Sequence, residues 1–281
     1  MPIQTVAVMG AGTMGAGIAQ VLAQHGFEVR LCENQPEALA RARAAIEAQL
    51  TRAAERGKIP ATLVTESLAR LRPAGLEQAA SADLVIEAVP EKIELKREIF
   101  QQLDRMAPPA TLLVSNTSSI SITALAAATR RPAQCAGMHF MNPVPVMPLV
   151  EIVRGLETSE ETIAAVQALA ARLGKIPVVV RDFPGFVSNR VLMPMINEAI
   201  YCVMEGVAAP EAVDEIMKSG MHHPMGPLAL ADLIGLDICL DILRVLYRDF
   251  ADSKYRPCPL LQTMVAAGRL GRKSGRGFYQ Y

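Results

Sequence analysis

The sequence is poor in the features that would place it in several large classes. Charge is balanced: 28 lysines and arginines face 28 aspartates and glutamates, for a formal net charge of zero. No broad field of one sign exists to draw in nucleic acid or an anionic membrane, so any anion site must be built locally. Cysteine is sparse: Cys32, Cys135, Cys202, Cys239 and Cys258 are an odd number with no C-x-x-C pair. That argues against a disulfide framework or a thiolate zinc site and fits thiols kept reduced in a cytoplasm. No uncharged apolar run reaches the roughly 18 residues of a membrane-spanning helix. The opening MPIQTVAVMG enters a strand-like run at once, so neither a signal nor a transit peptide is expected. Internal repeats and low-complexity tracts are also lacking.

What is present is apolar material in two patterns. Of 281 residues, 51% are hydrophobic, enough for one large domain or two smaller ones. In the first two-thirds, short apolar runs (TVAVM, EVRLC, ADLVIEAV, TLLVSN, CAGMHF, VEIV, IPVVV) alternate with helical stretches, among them GAGIAQVLAQHG, the Ala/Arg/Glu-rich segment from Pro36 to Arg56, and IELKREIFQQLDRMA. Nearly continuous apolar strands between helices predict a parallel sheet covered on both faces. After VVVRDFPGF the apolar residues recur at helical spacing, and Gly206 and Gly220 stand where helix C-caps would fall. The fold expected is α/β: a Rossmann-type doubly wound sheet over residues 1–182, then an all-α domain over 183–281. That tail is small for an independent core and rich in Met, Leu and Ile. A second subunit covering part of its apolar surface, giving a homodimer, is the expectation over packing on the first domain alone.

The first strand is followed by Gly10-x-Gly12-x-x-Gly15, with Thr13 and Met14 inside the motif. Gly10 permits a tight turn, Gly12 lets backbone approach a pyrophosphate, and Gly15 lets helix and strand pack closely. The helix N-terminus offers N–H groups and a partial positive charge to phosphate. Glu33, eighteen residues past Gly15, closes the second strand. A carboxylate there accepts from a ribose 2′-hydroxyl and repels a 2′-phosphate, which favours NAD over NADP; Arg30 is the one nearby cation.

His139 closes one apolar run, and Glu151 lies twelve residues on inside another, VEIV, beyond Pro143, Pro145 and Pro148. A carboxylate so flanked is expensive to bury without a partner, and an imidazole suits it: the acid fixes the ring tautomer and stabilises imidazolium. The plain alternative is a buried histidine and a strand-edge glutamate. Asn116, Thr117 and Ser118 follow a strand, where they can equally cap a helix. Asn189, in PGFVSNR, sits among apolar neighbours near a helix start, where capping or a core amide are the plain alternatives. His25 precedes a capping glycine. His222 and His223 adjoin one another without a further ligand cluster, so no metal site is expected.

Through GAGTMGAGIAQ, VIEAVPE with ELK, SNTSSISIT, GMHFMNPVPVMPLVEIV, PGFVSNR, HPMGPLALADLIGLD and GRKSGRGFYQY, the chain resembles the 3-hydroxyacyl-CoA dehydrogenase family, above all its bacterial 3-hydroxybutyryl-CoA branch. The likeness covers nearly the whole chain. It implies an NAD-binding domain and a helical substrate and dimerisation domain, an acyl-CoA substrate, and no hydratase module. It implies His139 as general base, Glu151 as its orienting partner, and Ser118 and Asn189 on the substrate oxygen. It gives Glu91, Lys96 and Asn116 to the cofactor. Arg52 and Arg56 are the expected CoA phosphate partners, against a solvated helix face shared with Glu47 and Glu55. Departures are Met141 where phenylalanine is common, Glu33 for aspartate, and a bulky Phe183. Rival readings are a free 3-hydroxy acid dehydrogenase, which would use a lysine, and a non-catalytic NAD-binding or structural relative.

Overall fold

The computed structural model describes residues 3–281, so Met1 and Pro2, at the start of the first expected domain, lie outside the described residues. Contacts divide the chain into two compact units, residues 1–182 and 183–281.

The first unit runs β1 (Thr5–Met9), α1 (Thr13–Gln24), β2 (Glu28–Cys32), α2 (Pro36–Glu55), α3 (Ala61–Arg70), β3 (Leu71–Ala74), α4 (Leu76–Ala80), β4 (Leu84–Glu87), α5 (Ile93–Met106), β5 (Leu112–Ser115), α6 (Ile122–Ala126), β6 (Cys135–Phe140), β7 (Leu149–Arg154), α7 (Glu160–Arg172) and β8 (Ile176–Arg181). The sheet order is β3-β2-β1-β4-β5-β6-β7-β8, a doubly wound core whose chain direction across the sheet reverses between β1 and β4. Side chains alternate along β1: Val6 and Val8 join a core with Ile18 and Leu22 of α1 and Ile46 and Leu50 of α2, whereas Ala7 and Met9 face Ala79 of α4 and Phe100 of α5. Burial on both faces is why this strand reads as an unbroken apolar run.

Two expectations need correction here. The sheet is not wholly parallel, because β6 and β7 pair antiparallel. Only residues 141–148 join them, and a parallel crossover needs a dozen residues or more. Nor is every strand covered on both faces: β8 closes one edge and exposes Ile176, Val178 and Val179. At the other edge lies β3, which the sequence pattern did not reveal because it contains Pro73, a residue tolerated only where ladder hydrogen bonding can be forgone.

The second unit comprises α8 (Ser188–Met204), α9 (Pro210–Glu215), α10 (Pro227–Ile234), α11 (Leu236–Phe250) and α12 (Pro259–Ala266). Its core takes Met193, Ile196 and Ile200 from α8 and Leu236, Leu240 and Leu243 from α11, the spacing of one helical face. Gly206 takes a left-handed conformation (φ 74°) just past α8, but Gly220 does not: the chain after α9 winds into a wider π turn over Ile216–Gly220, and the left-handed residue is His222 (φ 57°). Buried Asp214 accepts the Leu228 and Ala229 N–H groups (2.8 and 2.9 Å) and the Tyr279 hydroxyl (2.8 Å). Buried Asp232 accepts the Phe278 and Tyr279 N–H groups (both 3.0 Å) and the Tyr281 hydroxyl (3.2 Å), which fastens the terminal GFYQY to this unit.

Candidate active site

The glycine turn lies between β1 and α1, at the point where the strand order reverses. Gly10 has φ 101°, and a Cβ there would lie 2.7 Å from the Ala88 carbonyl oxygen. A Cβ on Gly15 would lie 1.9 Å from the Gly10 oxygen, so that position admits no side chain. Gly12 differs: nothing stands within 4 Å of its would-be Cβ. Open space in front of a helix N-terminus that carries no acidic first-turn residue is what a pyrophosphate requires. Glu33 immediately follows β2. Its Oε2 accepts the Ala11 N–H (3.1 Å), and its Oε1 accepts those of Asn34 (2.9 Å) and Gln35 (3.2 Å), so the acid also braces the glycine turn. Arg30 is engaged away from the cleft, donating to the Gln78 carbonyl and to Ser81 Oγ (2.6 Å). The cleft encloses about 730 Å³ between Gly10, Gly12, Glu33, Gly75, Val89 and Ile99, within the range of small-molecule sites, and Thr13 and Met14 also border it. Cys32 borders it as well, and burial, only partly offset by Arg30, pushes its thiol up to about 12, so it stays protonated. These features fit NAD on this unit's own surface.

A second group of residues occupies the C-terminal ends of β4 and β5. Lys96, 1% exposed, donates to Glu87 Oε1 (2.6 Å) and to the Val89 carbonyl (3.2 Å), and pairs with Glu91 Oε2 (3.2 Å). Glu91 Oε1 accepts the backbone N–H groups of Ser118 (3.0 Å) and Ser119 (3.2 Å) and the Thr117 hydroxyl. Burial raises the Glu87 carboxyl above its ordinary value, outweighing Lys96, Ser115 and the Val89 N–H. Burial also pushes Glu91 upward, but Lys96 and the hydrogen bonds from Thr117 and Ser118 outweigh it and hold that carboxyl below its ordinary value. Asn116 is buried; its N–H donates to the Glu87 carbonyl (2.8 Å) and its Oδ1 accepts the Phe140 N–H (3.0 Å), tying β5 to the end of β6.

His139 and Glu151 stand directly opposite one another in the antiparallel β6–β7 ladder. Opposed residues on one face have Cβ atoms about 5 Å apart, close enough for an imidazole and a carboxylate to meet. His139 Nδ1 lies 2.8 Å from Glu151 Oε2, and the residues are 6% and 2% exposed. His139 is the penultimate residue of β6 rather than its last. Lys175 braces the proline-rich return between these strands by donating to the carbonyls of Val144 (2.5 Å) and Met147 (2.8 Å).

Among the remaining residues singled out in the sequence, Arg52 lies in the last turn of α2 and Arg56 caps it, both exposed. Asn189 is buried in the first turn of α8, in the helical unit. His25 caps α1 and its Nδ1 lies 2.8 Å from the Val21 carbonyl; His222 is exposed and His223 half-buried. Sequence reasoning passed over Glu87, Ser115 and Lys175. Glu87 carried a usable signal: a lone acid inside LVIEAV, the same argument that singled out Glu151.

A doubly wound sheet with this glycine turn and a carboxylate after β2 belongs to the dinucleotide-binding class. Within that class, the model of the 3-hydroxyacyl-CoA dehydrogenase NAD-binding domain matches residues 5–183, and that of the family's C-terminal domain matches residues 185–281. The chain therefore belongs to the 3-hydroxyacyl-CoA dehydrogenase family. It is 60% identical to a probable 3-hydroxybutyryl-CoA dehydrogenase of Bacillus subtilis, over 100% of this chain and 98% of the relative. It is 52% identical to the 3-hydroxybutyryl-CoA dehydrogenase of Bradyrhizobium diazoefficiens, over 99% and 96%. The crystal structure of an (S)-3-hydroxybutyryl-CoA dehydrogenase from Ralstonia eutropha superposes with a TM-score of 0.96 at 50% identity, over 99% of each chain.

Proposed function

We propose that this protein interconverts a (3S)-3-hydroxyacyl-CoA, with 3-hydroxybutyryl-CoA the first choice, and the corresponding 3-ketoacyl-CoA, using NAD. The 2.8 Å contact between His139 Nδ1 and Glu151 carries the mechanism. With the carboxylate at Nδ1, that nitrogen holds the ring proton and Nε2 is the basic atom. Nε2 takes the substrate hydroxyl proton as the alcohol is oxidised, and Glu151 stabilises the imidazolium that results. In reduction, imidazolium returns the proton to the nascent alcohol oxygen. Bound NAD supplies the hydride acceptor, and in the reverse direction its reduced form supplies the hydride. A positioned base of this kind contributes typically ~10²–10⁴-fold. Ser118 hydrogen-bonds the substrate oxygen as its charge changes, and Asn189 keeps the matching role that the family resemblance gives it.

Gly10, Gly12, Thr13, Met14 and Gly15 cradle the pyrophosphate, and Glu33 takes the adenosine ribose. Glu91, Lys96 and Asn116 serve the nicotinamide end; Arg52 and Arg56 meet the CoA phosphates. Residues 1–182 act as the cofactor domain and 183–281 as the substrate and dimerisation domain of a homodimer. A cytoplasmic location is supported by five free cysteines, and no helix among the described residues is long and apolar enough to cross a membrane.

The test is the absorbance of reduced nicotinamide during reduction of acetoacetyl-CoA and of free acetoacetate, with NADH and with NADPH. Fast turnover of the CoA ester with NADH, and slow turnover in the other combinations, is expected. Equal turnover of the free acid, or none of the ester, contradicts the assignment.

A further inference from the structure

Glu87 is the last residue of β4 and stands opposite Ser115, the last residue of β5. It has no solvent exposure, and burying a carboxylate is costly unless its partners repay the lost hydration. If β4 needed only to be filled at this point, an apolar side chain of similar volume would serve at lower cost. The partners indicate what the charge is for. Glu87 Oε2 accepts the Ser115 hydroxyl (2.5 Å), while Oε1 accepts Lys96 Nζ (2.6 Å) and the Val89 N–H (2.7 Å). Two of these contacts, those with Ser115 and Lys96, lead to the same short segment. Ser115 Oγ, aimed by Glu87, accepts the Thr117 N–H (3.2 Å). Lys96, held by Glu87, pairs with Glu91 (3.2 Å), whose other oxygen accepts the Ser118 (3.0 Å) and Ser119 (3.2 Å) N–H groups. Thr117–Ser119 is thus gripped from two sides, and both grips end on one buried carboxylate.

We propose that Glu87 is a positioning residue that, through Ser115 on one side and Lys96–Glu91 on the other, sets the Thr117–Ser119 turn so that the Ser118 hydroxyl meets the substrate oxygen. This inference rests on the role given to Ser118 under the proposed function. Glu87 has no solvent exposure and does not border the cofactor cleft, so its effect on this reading is transmitted through placement.

A double-mutant cycle on kcat for acetoacetyl-CoA, at saturating NADH, tests it, with circular dichroism on every sample to verify folding. Glu87→Ala is expected to lower kcat about tenfold or more, since small displacements of positioning groups are costly. Glu87→Gln keeps an acceptor for Lys96 and the Val89 N–H and is expected to restore most of that loss. The Glu87→Ala/Ser118→Ala variant is expected to be no slower than Ser118→Ala alone, because placement is irrelevant once the hydroxyl is gone. Losses that multiply in the double variant, or wild-type kcat in folded Glu87→Ala, overturn the proposal. If Glu87→Ala does not fold, Ser115→Ala takes its place in the same cycle: it removes only the hydroxyl between Glu87 and Thr117, and an unchanged kcat or a multiplicative loss overturns the proposal. Wild-type kcat in Ser118→Ala removes the role assigned to Ser118 itself, an outcome separable from a failure at Glu87.

Discussion

The two units bury acids for different ends. In the sheet unit, Glu87 and Glu151 meet titratable bases, Lys96 and His139, at one end of the sheet. In the helical unit, Asp214 and Asp232 meet backbone N–H groups and tyrosine hydroxyls, donors whose protons stay in place near neutral pH. Under the proposed function the first kind serves the site, Glu151 at the base itself and Glu87 through placement, whereas an acid that meets only fixed donors braces the fold. Asp104 marks the border: it is a buried acid of the sheet unit held by Arg130 and Arg131, whose guanidinium groups do not release protons, and it staples α5 to the segment before β6.

The contrast can be broken by substitution. Lys96→Met leaves Glu87 buried beside Glu91 without its cation, and removing one member of a buried pair typically costs several kcal/mol. We expect a loss of about 3 kcal/mol in urea unfolding, the low end of that range, because burial already raises Glu87 and it takes up a proton instead. A loss too small to measure means the pair is not structural. Asp232→Asn leaves one acceptor oxygen for three donors and turns an NH2 toward the rest, and is expected to cost about 2 kcal/mol of stability, with kcat per folded molecule unchanged. A change in kcat would blur the division between the units.

Gly12→Ala probes the cofactor side alone. The residue has φ −69°, which alanine accepts, and open space for its methyl. Stability should move by less than about 0.5 kcal/mol, while NADH affinity, read by fluorescence titration, falls about tenfold, roughly 1.4 kcal/mol. Unchanged affinity would move the pyrophosphate elsewhere.

The smallest effect concerns pH. Burial raises the Asp104 carboxyl, but hydrogen bonds from Arg131 and Arg130 outweigh it and hold the group below its ordinary value of 3.8. A depressed carboxyl contributes stability that is fully present above its unfolded value and is lost as pH falls through its folded one. The stability difference between wild type and Asp104→Asn should therefore be constant near neutral pH and shrink as pH drops below 3.8. A difference independent of pH down to strong acid contradicts the ion pair.

Legibility followed the range of the forces involved. β1 and β6 could be bounded from sequence because burial on both faces leaves a nearly unbroken apolar run that ends where the core ends, whereas β2 carries its apolar residues at alternate positions, Val29 and Leu31, between the polar Glu28 and Arg30. The His139–Glu151 pair was legible because an acid inside an apolar strand demands a partner. The same logic applied to Glu87, but its partners Lys96 and Ser115 lie nine and 28 residues away on different elements, and no local spacing connects them. The antiparallel return was implicit in the length of the proline-rich connection. β3 was hidden by Pro73, and the fastening of Phe278–Tyr281 by Asp232 depends on contacts across 46 to 49 residues that no periodicity records.

The most direct test of the central claim measures acetoacetyl-CoA reduction and NADH binding in the same samples of His139→Ala and Glu151→Gln. The account predicts turnover reduced by ~10²–10⁴-fold in His139→Ala, a clear loss in Glu151→Gln, and NADH binding close to wild type in both. Wild-type turnover in both variants would contradict it.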